Sequence, residues 1–403
     1  MDGGVNTFQQ LPHDVLPTAN QNEQSRQEFA KSLKQYIQEK MLPGVKQVYE
    51  QRSAPRFKAD HGHEPRDRHE ARQAATKDAY FQNYLSMQRL SQELMWRSVS
   101  DSVERQLDGL IEKSQSIPKA GGSLSIQENF EPPRYATAVD IHCMPGGYAN
   151  VVCENDVSAG AIYDRGVYLY ALGYMGPYND DMGRSVCNYL KRKHTDFEPK
   201  KIVDLGCTVG HSTLPYVEMF PSAEVHGVDI GEGLLRYAHA RAEALGQAVH
   251  FSQQDAATLN YEDNSFDLVA SHILLHETSG KAMPKIFEEC YRILKPGGMM
   301  IHADLPPFEN MDAYTQLILD NETYYNNEPF WGAMREVNQP DLAEKAGFKK
   351  SNIYFDTAPM AIMEFAQQSE TYDEEVARDI ADRDFEAGEY APGGGWEVLV
   401  AKK

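Results

Sequence analysis

The chain has 403 residues, a formal charge of −21, and 41% hydrophobic against 25% charged residues. That length exceeds one average domain and predicts two, or one with a large extension. A field so acidic repels phosphate backbones and anionic surfaces, so no nucleic acid partner is expected. No run approaches the roughly 18 apolar residues of a membrane span, so no membrane partner is expected either. The opening stretch lacks the apolar core of a signal peptide. The five cysteines (Cys143, Cys153, Cys187, Cys207, Cys290) are scattered and form no CxxC, which fits a reduced, cytoplasmic protein.

Residues 1–22 are polar and read as a flexible N-terminus. Phe29, Leu33, Tyr36 and Ile37 recur at helical spacing within 23–52, and Pro43-Gly44 predicts a break in that helix. "DHGHEPRDRHE" (60–70) is charged, matches no metal-ligand spacing, and reads as a solvated linker. Helical spacing resumes from about 76 to 115, which makes 23–130 a helical N-terminal region. Residues 131–198 combine a Pro-Gly-Gly turn, a Tyr- and Gly-dense stretch and a helix. They read as a connector or lid over the mouth of the domain that follows.

From 199 onward strands and helices alternate. "KKIVDLGC", "AEVHGVDI", "AVHFSQQDA", "SFDLVASHILL" and "MMIHADLPP" are strands, with helices between them. "PDLAEKAGF" adds a helix, and "KSNIYFDT" and "WEVLVAKK" add two more strands. An acidic insert at about 360–392 separates that last pair. The pattern predicts an α/β fold with a Rossmann-like, doubly wound, mostly parallel sheet. Ligands of such sheets sit at the carboxyl ends of the strands. The first strand ends in "VDLGCTVGHST". A dinucleotide fingerprint needs G-x-G-x-x-G, and here Thr208 holds the second glycine position and Ser212 the third. Asp229 ends the second strand, 25 positions after Asp204, where an acid captures ribose hydroxyls. Asp255 follows the third strand, where an acid can accept from an exocyclic amine. The ensemble predicts a nucleoside site without a phosphate cradle.

Over about 199–305 the chain resembles the class I S-adenosylmethionine-dependent methyltransferases, on "VDLGCTVG", "GVDI", "QQDA" and "RILKPGGMM" in that order. Thr208 replaces the usual middle glycine, as in a subgroup reading "DLGCSxGxST". The resemblance implies a seven-stranded sheet with an antiparallel last strand, spanning 199–403, and S-adenosylmethionine as cofactor. It implies Gly206, Cys207 and Gly210 along the methionine part, with Asp204 orienting that loop and the ligand's amine. It further implies Asp229 and Ile230 at ribose and adenine, Asp255 and Ala256 at the adenine edge, and His272 near the sulfonium. Cys207 as a small core residue and His272 as a satisfied buried histidine are the alternatives.

Methyl transfer is an in-line displacement that needs alignment, exclusion of water and, for a protonated nucleophile, a base. "SHILLHETS" places His272, His276 and Glu277 past the fourth strand, and the adjacent His-Glu pair is a candidate base. Alternatively Glu277 is a first-turn acid with His276 packed beneath it. His302 and Asp304 are secondary candidates. Tyr163, Tyr168 and Tyr170 offer aromatic faces to a substrate or form interface core, and Phe330 and Trp331 in "NNEPFWGAM" are candidate pocket residues. No metal is expected. The expected activity is methyl transfer to a small molecule, with oxygen first and sulfur or nitrogen as alternatives. A nicotinamide oxidoreductase or a non-methylating relative is the other-class reading. The Tyr-rich surface closes the site or forms a homodimer interface.

Overall fold

The computed structural model describes residues 9–362 and 395–403. Eight strands form one sheet in the order β1-β4-β3-β2-β5-β6-β8-β7. They are β1 (Ser123–Ser125), β2 (Lys201–Leu205), β3 (Glu224–Asp229), β4 (His250–Gln253), β5 (Phe266–His272), β6 (Leu294–Asp304), β7 (Ile353–Pro359) and β8 (Gly395–Lys402). All neighbours pair parallel except β8, which runs antiparallel to both β6 and β7. The reversed last strand matches the expectation. The count does not, because Ser123–Ser125 of the N-terminal region adds an eighth strand at the edge beside β4. A three-residue serine-rich strand carries no alternation that sequence could show.

Both faces of the sheet are buried, so its strands read as continuous apolar runs. Ile202, Val225, Leu268 and Ile301 face one layer, with helices Asp181–Lys193 and Leu214–Met219. Val203, Leu205, Val269 and Met300 face the other, with helices Ala282–Ile293 and Gln339–Ala346. Most of the acidic insert expected at 360–392 lies outside the described residues.

The N-terminal region is helical as expected, with two differences. Pro43-Gly44 does not break the first helix. The helical path runs from Gln21 to His61, with single π turns at Ile37–Met41 and Tyr49–Ser53 ahead of Pro43 and Pro55. A π turn re-aims the backbone and absorbs the donor that proline lacks. Residues 9–20 are packed rather than loose: Val15 is fully buried and His13 is bonded to Asp164.

The Ser158–Tyr170 helix of the connector is wedged between the sheet domain and helix Ala79–Glu104. Its two interior glycines allow this. A Cβ on Gly160 would sit 2.2 Å from Tyr237, and one on Gly166 would sit 2.0 Å from Trp96. Asp164 lies between those glycines and is 1% exposed. Its Oδ2 receives His13 Nε2 at 2.9 Å and the Tyr237 hydroxyl at 2.9 Å. Its Oδ1 receives His211 Nε2 at 2.9 Å and Gln10 Nε2 at 3.0 Å. Arg241 Nε stands 3.3 Å from Oδ2, an ionic contact without hydrogen-bond alignment. The Arg241 charge and the histidine donors outweigh burial and hold this carboxyl well below the usual carboxylate range. Removing one partner of a buried ion pair costs about 3–5 kcal/mol. Asp164→Asn should therefore lower unfolding stability by about that amount in urea titrations. A loss under about 1 kcal/mol would mean that Arg241 finds another partner.

Candidate functional site

The carboxyl ends of β2 to β5 open into a cleft with about 1070 Å³ of empty space, its mouth included. Its floor is the turn after β2. Gly206 (φ 72), Thr208 (φ 45) and Gly210 (φ 79) are all left-handed. A Cβ on Gly206 would meet Leu274 at 2.7 Å, so the chain passes close to the far wall only because that atom is absent. Thr208, where the resembling family carries glycine, holds its strained conformation while its N–H donates to Asp229 Oδ2 at 2.9 Å.

Each acid at a strand end has a defined environment. Asp204 is buried and bonded on both oxygens: Oδ2 accepts from Thr213 Oγ1 at 2.6 Å and Oδ1 faces His272 Nδ1 at 3.0 Å. A carboxylate only accepts, so His272 carries its proton on Nδ1, and its Nε2 accepts from the Tyr216 hydroxyl at 3.2 Å. Asp229 accepts from the N–H groups of Thr208 and Gly231, and both oxygens retain a lone pair toward the cleft. Burial pushes its carboxyl up to about 6 against the lowering effect of those bonds. Asp255 caps its own turn through the Ala257 N–H, 2.8 Å away. Ile230, Ala256 and Leu274 supply apolar surface between these acids. Two acids with free acceptor capacity, apolar side chains between them and a glycine turn suit a nucleoside with a neutral edge and no phosphate. The residues fit the cofactor that the sequence motifs imply.

The connector forms the roof. Tyr135, His142, Tyr148, Tyr163 and Met175 line the cleft opposite the strand ends. Tyr163 stacks on His211 at 5.7 Å, and its neighbour Asp164 anchors that histidine. Glu277 lines the wall beside this roof. Its Oε1 accepts from the Tyr148 hydroxyl at 3.1 Å and lies 3.0 Å from His142 Nε2. Its Oε2 is buried and has no hydrogen-bond partner. His142 Nδ1 lies 2.9 Å from Oε1 of Glu328, which is fully buried. Set between two carboxylates, His142 is held well above the ordinary imidazole range although burial opposes this. Burial would raise the Glu277 carboxyl, but the adjacent His142 charge, with His276, outweighs it and holds the group below its usual value.

Of the residues singled out from sequence, Asp204, Gly206, Cys207, Asp229, Ile230, Asp255, Ala256, His272, Glu277 and Tyr163 line the cleft. Cys207 is also core, packed under Gly227, and burial raises its thiol well above the ordinary range. Gly210 does not line the cleft: it shapes the turn and a Cβ there would touch Phe251. His276 points away, with Nδ1 on Asp304 Oδ1 at 2.7 Å and its ring against Trp331. Of the adjacent His-Glu pair only Glu277 lines the cleft, although His276 Nε2 stays 3.8 Å from Glu277 Oε1. Trp331 is core behind His276, and Phe330 reaches only Tyr135, edge to face at 5.9 Å. Tyr168 and Tyr170 lie under Lys31 and Lys34 of the N-terminal helices, and the Tyr170 ring also stands 6.0 Å from that of His142, without lining the cleft itself. His302 is buried against Ser271 and Cys290. His142, Tyr148 and Glu328 were missed. The 326–334 stretch was singled out for its aromatic residues, whereas the residue that reaches the site cluster is Glu328. The expectation of no metal overlooked a grouping of His142, Glu277 and Glu328, whose ligand atoms lie within 4.8 Å of one another.

Residues 202–298 match a family model described as a methyltransferase domain. The match places a methyltransferase domain at the strands and turns that form the cleft floor. Demethylmenaquinone methyltransferase of Thermus thermophilus is 37% identical over 109 residues, 27% of this chain and 49% of that protein. Phosphoethanolamine N-methyltransferase 1 of Arabidopsis thaliana is 32% identical over 105 residues, 26% of this chain and 21% of that protein. A Haemonchus contortus phosphoethanolamine N-methyltransferase 2, solved with phosphomonomethylethanolamine and S-adenosylhomocysteine, aligns at a TM-score of 0.40 and 21% identity, covering 60% of this chain and 58% of that one. The chain thus spans half or less of the length of these two curated relatives. Among the described residues no helix is long and apolar enough to cross a membrane.

The raised Asp229 carboxyl gives the methyltransferase domain a pH signature. The sequence motifs imply that Asp229 receives the ribose hydroxyls, and an ionised carboxylate offers both oxygens for that. Cofactor affinity should be constant above about pH 7 and fall about tenfold per unit well below the Asp229 value of about 6. Calorimetric titrations of S-adenosylmethionine across pH 5–8 check this, and Asp229→Asn should bind weakly with no such inflection.

Proposed function

We propose that the protein transfers a methyl group from S-adenosylmethionine to an oxygen of a small-molecule acceptor. The observation that carries this reading is the pairing, in one cleft, of a nucleoside end at Asp229 and Asp255 with an unpartnered carboxylate oxygen on Glu277. S-adenosylmethionine supplies a methyl group already activated by its positive sulfur. The side chains then have to align the acceptor and keep water out. Asp204 and Thr213 fix the floor of the turn, and His272 braces Asp204 from β5. Tyr135, Tyr148 and Tyr163 close the roof with aromatic surface. Glu277 Oε2 is placed to accept the hydrogen bond of an acceptor hydroxyl and, as the oxygen is methylated, its proton. The Tyr148 hydroxyl and His142 hold Glu277 in that orientation.

An amine acceptor is the second reading. Ring faces beside a carboxylate also suit a cationic or amino group, and one of the relatives is named for N-methylation of phosphoethanolamine.

Calorimetry on the full chain should show S-adenosylmethionine binding that Asp229→Ala weakens at least about tenfold, roughly the value of one lost charged hydrogen bond. Incubation with methyl-labelled cofactor and a panel of hydroxyl and amine acceptors separates the two readings. Glu277→Gln should leave cofactor affinity unchanged and lower kcat by about 10²–10⁴-fold, the usual range for general acid–base groups. An intact, folded protein with no affinity for S-adenosylmethionine would overturn the function.

A further inference from the structure

Methyl transfer by itself leaves one feature of the cleft wall without a purpose. Four side chains from three separated stretches converge there: His142 from the connector, His276 and Glu277 from the turn after β5, and Glu328 from the segment after β6. His142 lies 3.0 Å from Glu277 and 2.9 Å from Glu328 through its two ring nitrogens. His276 Nε2 lies 3.8 Å from both Glu277 Oε1 and Glu328 Oε2.

Two observations set this grouping apart from an ordinary acidic cluster. Glu328 is 0% exposed, yet its Oε2 has no hydrogen-bond partner while it faces His276. A buried charged oxygen without a partner is costly and calls for a cation. His276 is also prepared on its far side. Asp304 Oδ1 holds its Nδ1 at 2.7 Å, and Asp304 is itself pinned by the N–H groups of Leu275 and Leu305. This is the carboxylate–histidine arrangement by which proteins orient an imidazole toward a metal, with Nε2 left as the ligating atom.

We propose that His142, His276, Glu277 and Glu328 bind a divalent transition-metal cation at the acceptor end of the cleft. A mixed imidazole and carboxylate set suits Zn²⁺, Mn²⁺ or Fe²⁺ better than the all-oxygen preference of Mg²⁺ or Ca²⁺. Ligand atoms around such an ion, with bonds of about 2.1 Å, stand about 3.4 Å apart in a tetrahedral set. His142 offers the ion one nitrogen, Nε2, which stands 3.0 Å from Glu277 Oε1 while its Nδ1 stays on Glu328 Oε1; His276 Nε2 stands 3.8 Å from Glu277 Oε1 and Glu328 Oε2, so these spacings bracket that value. Four protein ligands fill a tetrahedral set, so an acceptor oxygen would enter as a fifth ligand from the side where His142 and Glu277 line the cleft; His276 and Glu328 do not line it. There the ion holds an acceptor oxygen and lowers its pKa. This extension rests on the methyl-transfer reading of the cleft; the metal site itself rests only on the four ligands.

The test uses the full chain, stripped with chelator, dialysed against Zn²⁺ or Mn²⁺ and assayed by elemental analysis, with Co²⁺ absorption as a report on ligand field. A single tightly held ion is expected. Glu328→Gln and His276→Gln should each abolish it, with folding checked by circular dichroism, and Asp304→Asn should weaken it by about 10–100-fold as a positioning residue. Should Glu328→Gln or His276→Gln unfold, His142→Gln at the cleft wall tests the same site. No uptake by stripped wild-type protein, or equal uptake in the folded ligand variants, overturns the proposal. S-adenosylmethionine affinity is measured on the same samples: its absence would sink the methyltransferase reading alone, because metal uptake is scored independently.

Discussion

One carboxylate holds the molecule together. Asp164 gathers donors from the N-terminal segment (Gln10, His13), the glycine turn (His211) and the helix after β3 (Tyr237), and it faces the Arg241 charge. A charge so deeply buried is tolerable only when it is compensated from every side. The compensation here is supplied by pieces of chain that are otherwise separate bodies. Meeting that demand fixes the Ser158–Tyr170 helix against the sheet domain. It thereby sets the position of Tyr163 in the roof of the cleft and of His211 in its floor. Stability and site geometry are therefore consequences of one polar hub.

A second buried polar grouping organises the other end of the cleft. His142 sits in a left-handed conformation (φ 55), and its carbonyl oxygen accepts from Trp96 Nε1 at 2.7 Å and Gln92 Nε2 at 3.0 Å. The strained residue is thus held by the longest N-terminal helix, while its ring reaches Glu277 and Glu328. That is how helices remote from the cofactor come to shape the acceptor end. They do not line the cleft. They brace the connector that does. A third ion pair, Arg68 to the fully buried Asp320 at 2.6 Å, ties the stretch expected as a solvated linker to the segment that carries Glu328.

The division of labour across the cleft follows from where charge is allowed. The strand-end side uses acids, Asp229 and Asp255, that accept backbone N–H groups and keep spare lone pairs. The acceptor end uses acids neutralised by histidine. Between them lie the aromatic roof and the His272–Asp204 bond. The adjacent His276 and Glu277 illustrate the constraint. Glu277 lines the cleft, whereas His276 stands beside it with its Nδ1 held by Asp304.

The sequence alone determined the sheet, because strands buried on both faces must be continuous apolar runs alternating with helices. It also located the residues that line the strand-end side of the cleft. A glycine turn and strand-end acids are local features, fixed by backbone geometry within a few residues of each strand, which is why Asp204, Gly206, Asp229 and Asp255 were legible. Only the tertiary structure decided the acceptor end. His142, Glu277 and Glu328 are far apart in the chain, and nothing in the local spacing of "DIHCMPGG" or "NNEPFW" says that the two segments meet. Tyr168, Tyr170 and Trp331 look the same in sequence as Tyr163, yet packing turned them toward helices and core. The buried charge of Asp164 was equally silent, since an acid between two glycines in a helix reads as a solvated position until the five groups around it are brought together by the fold.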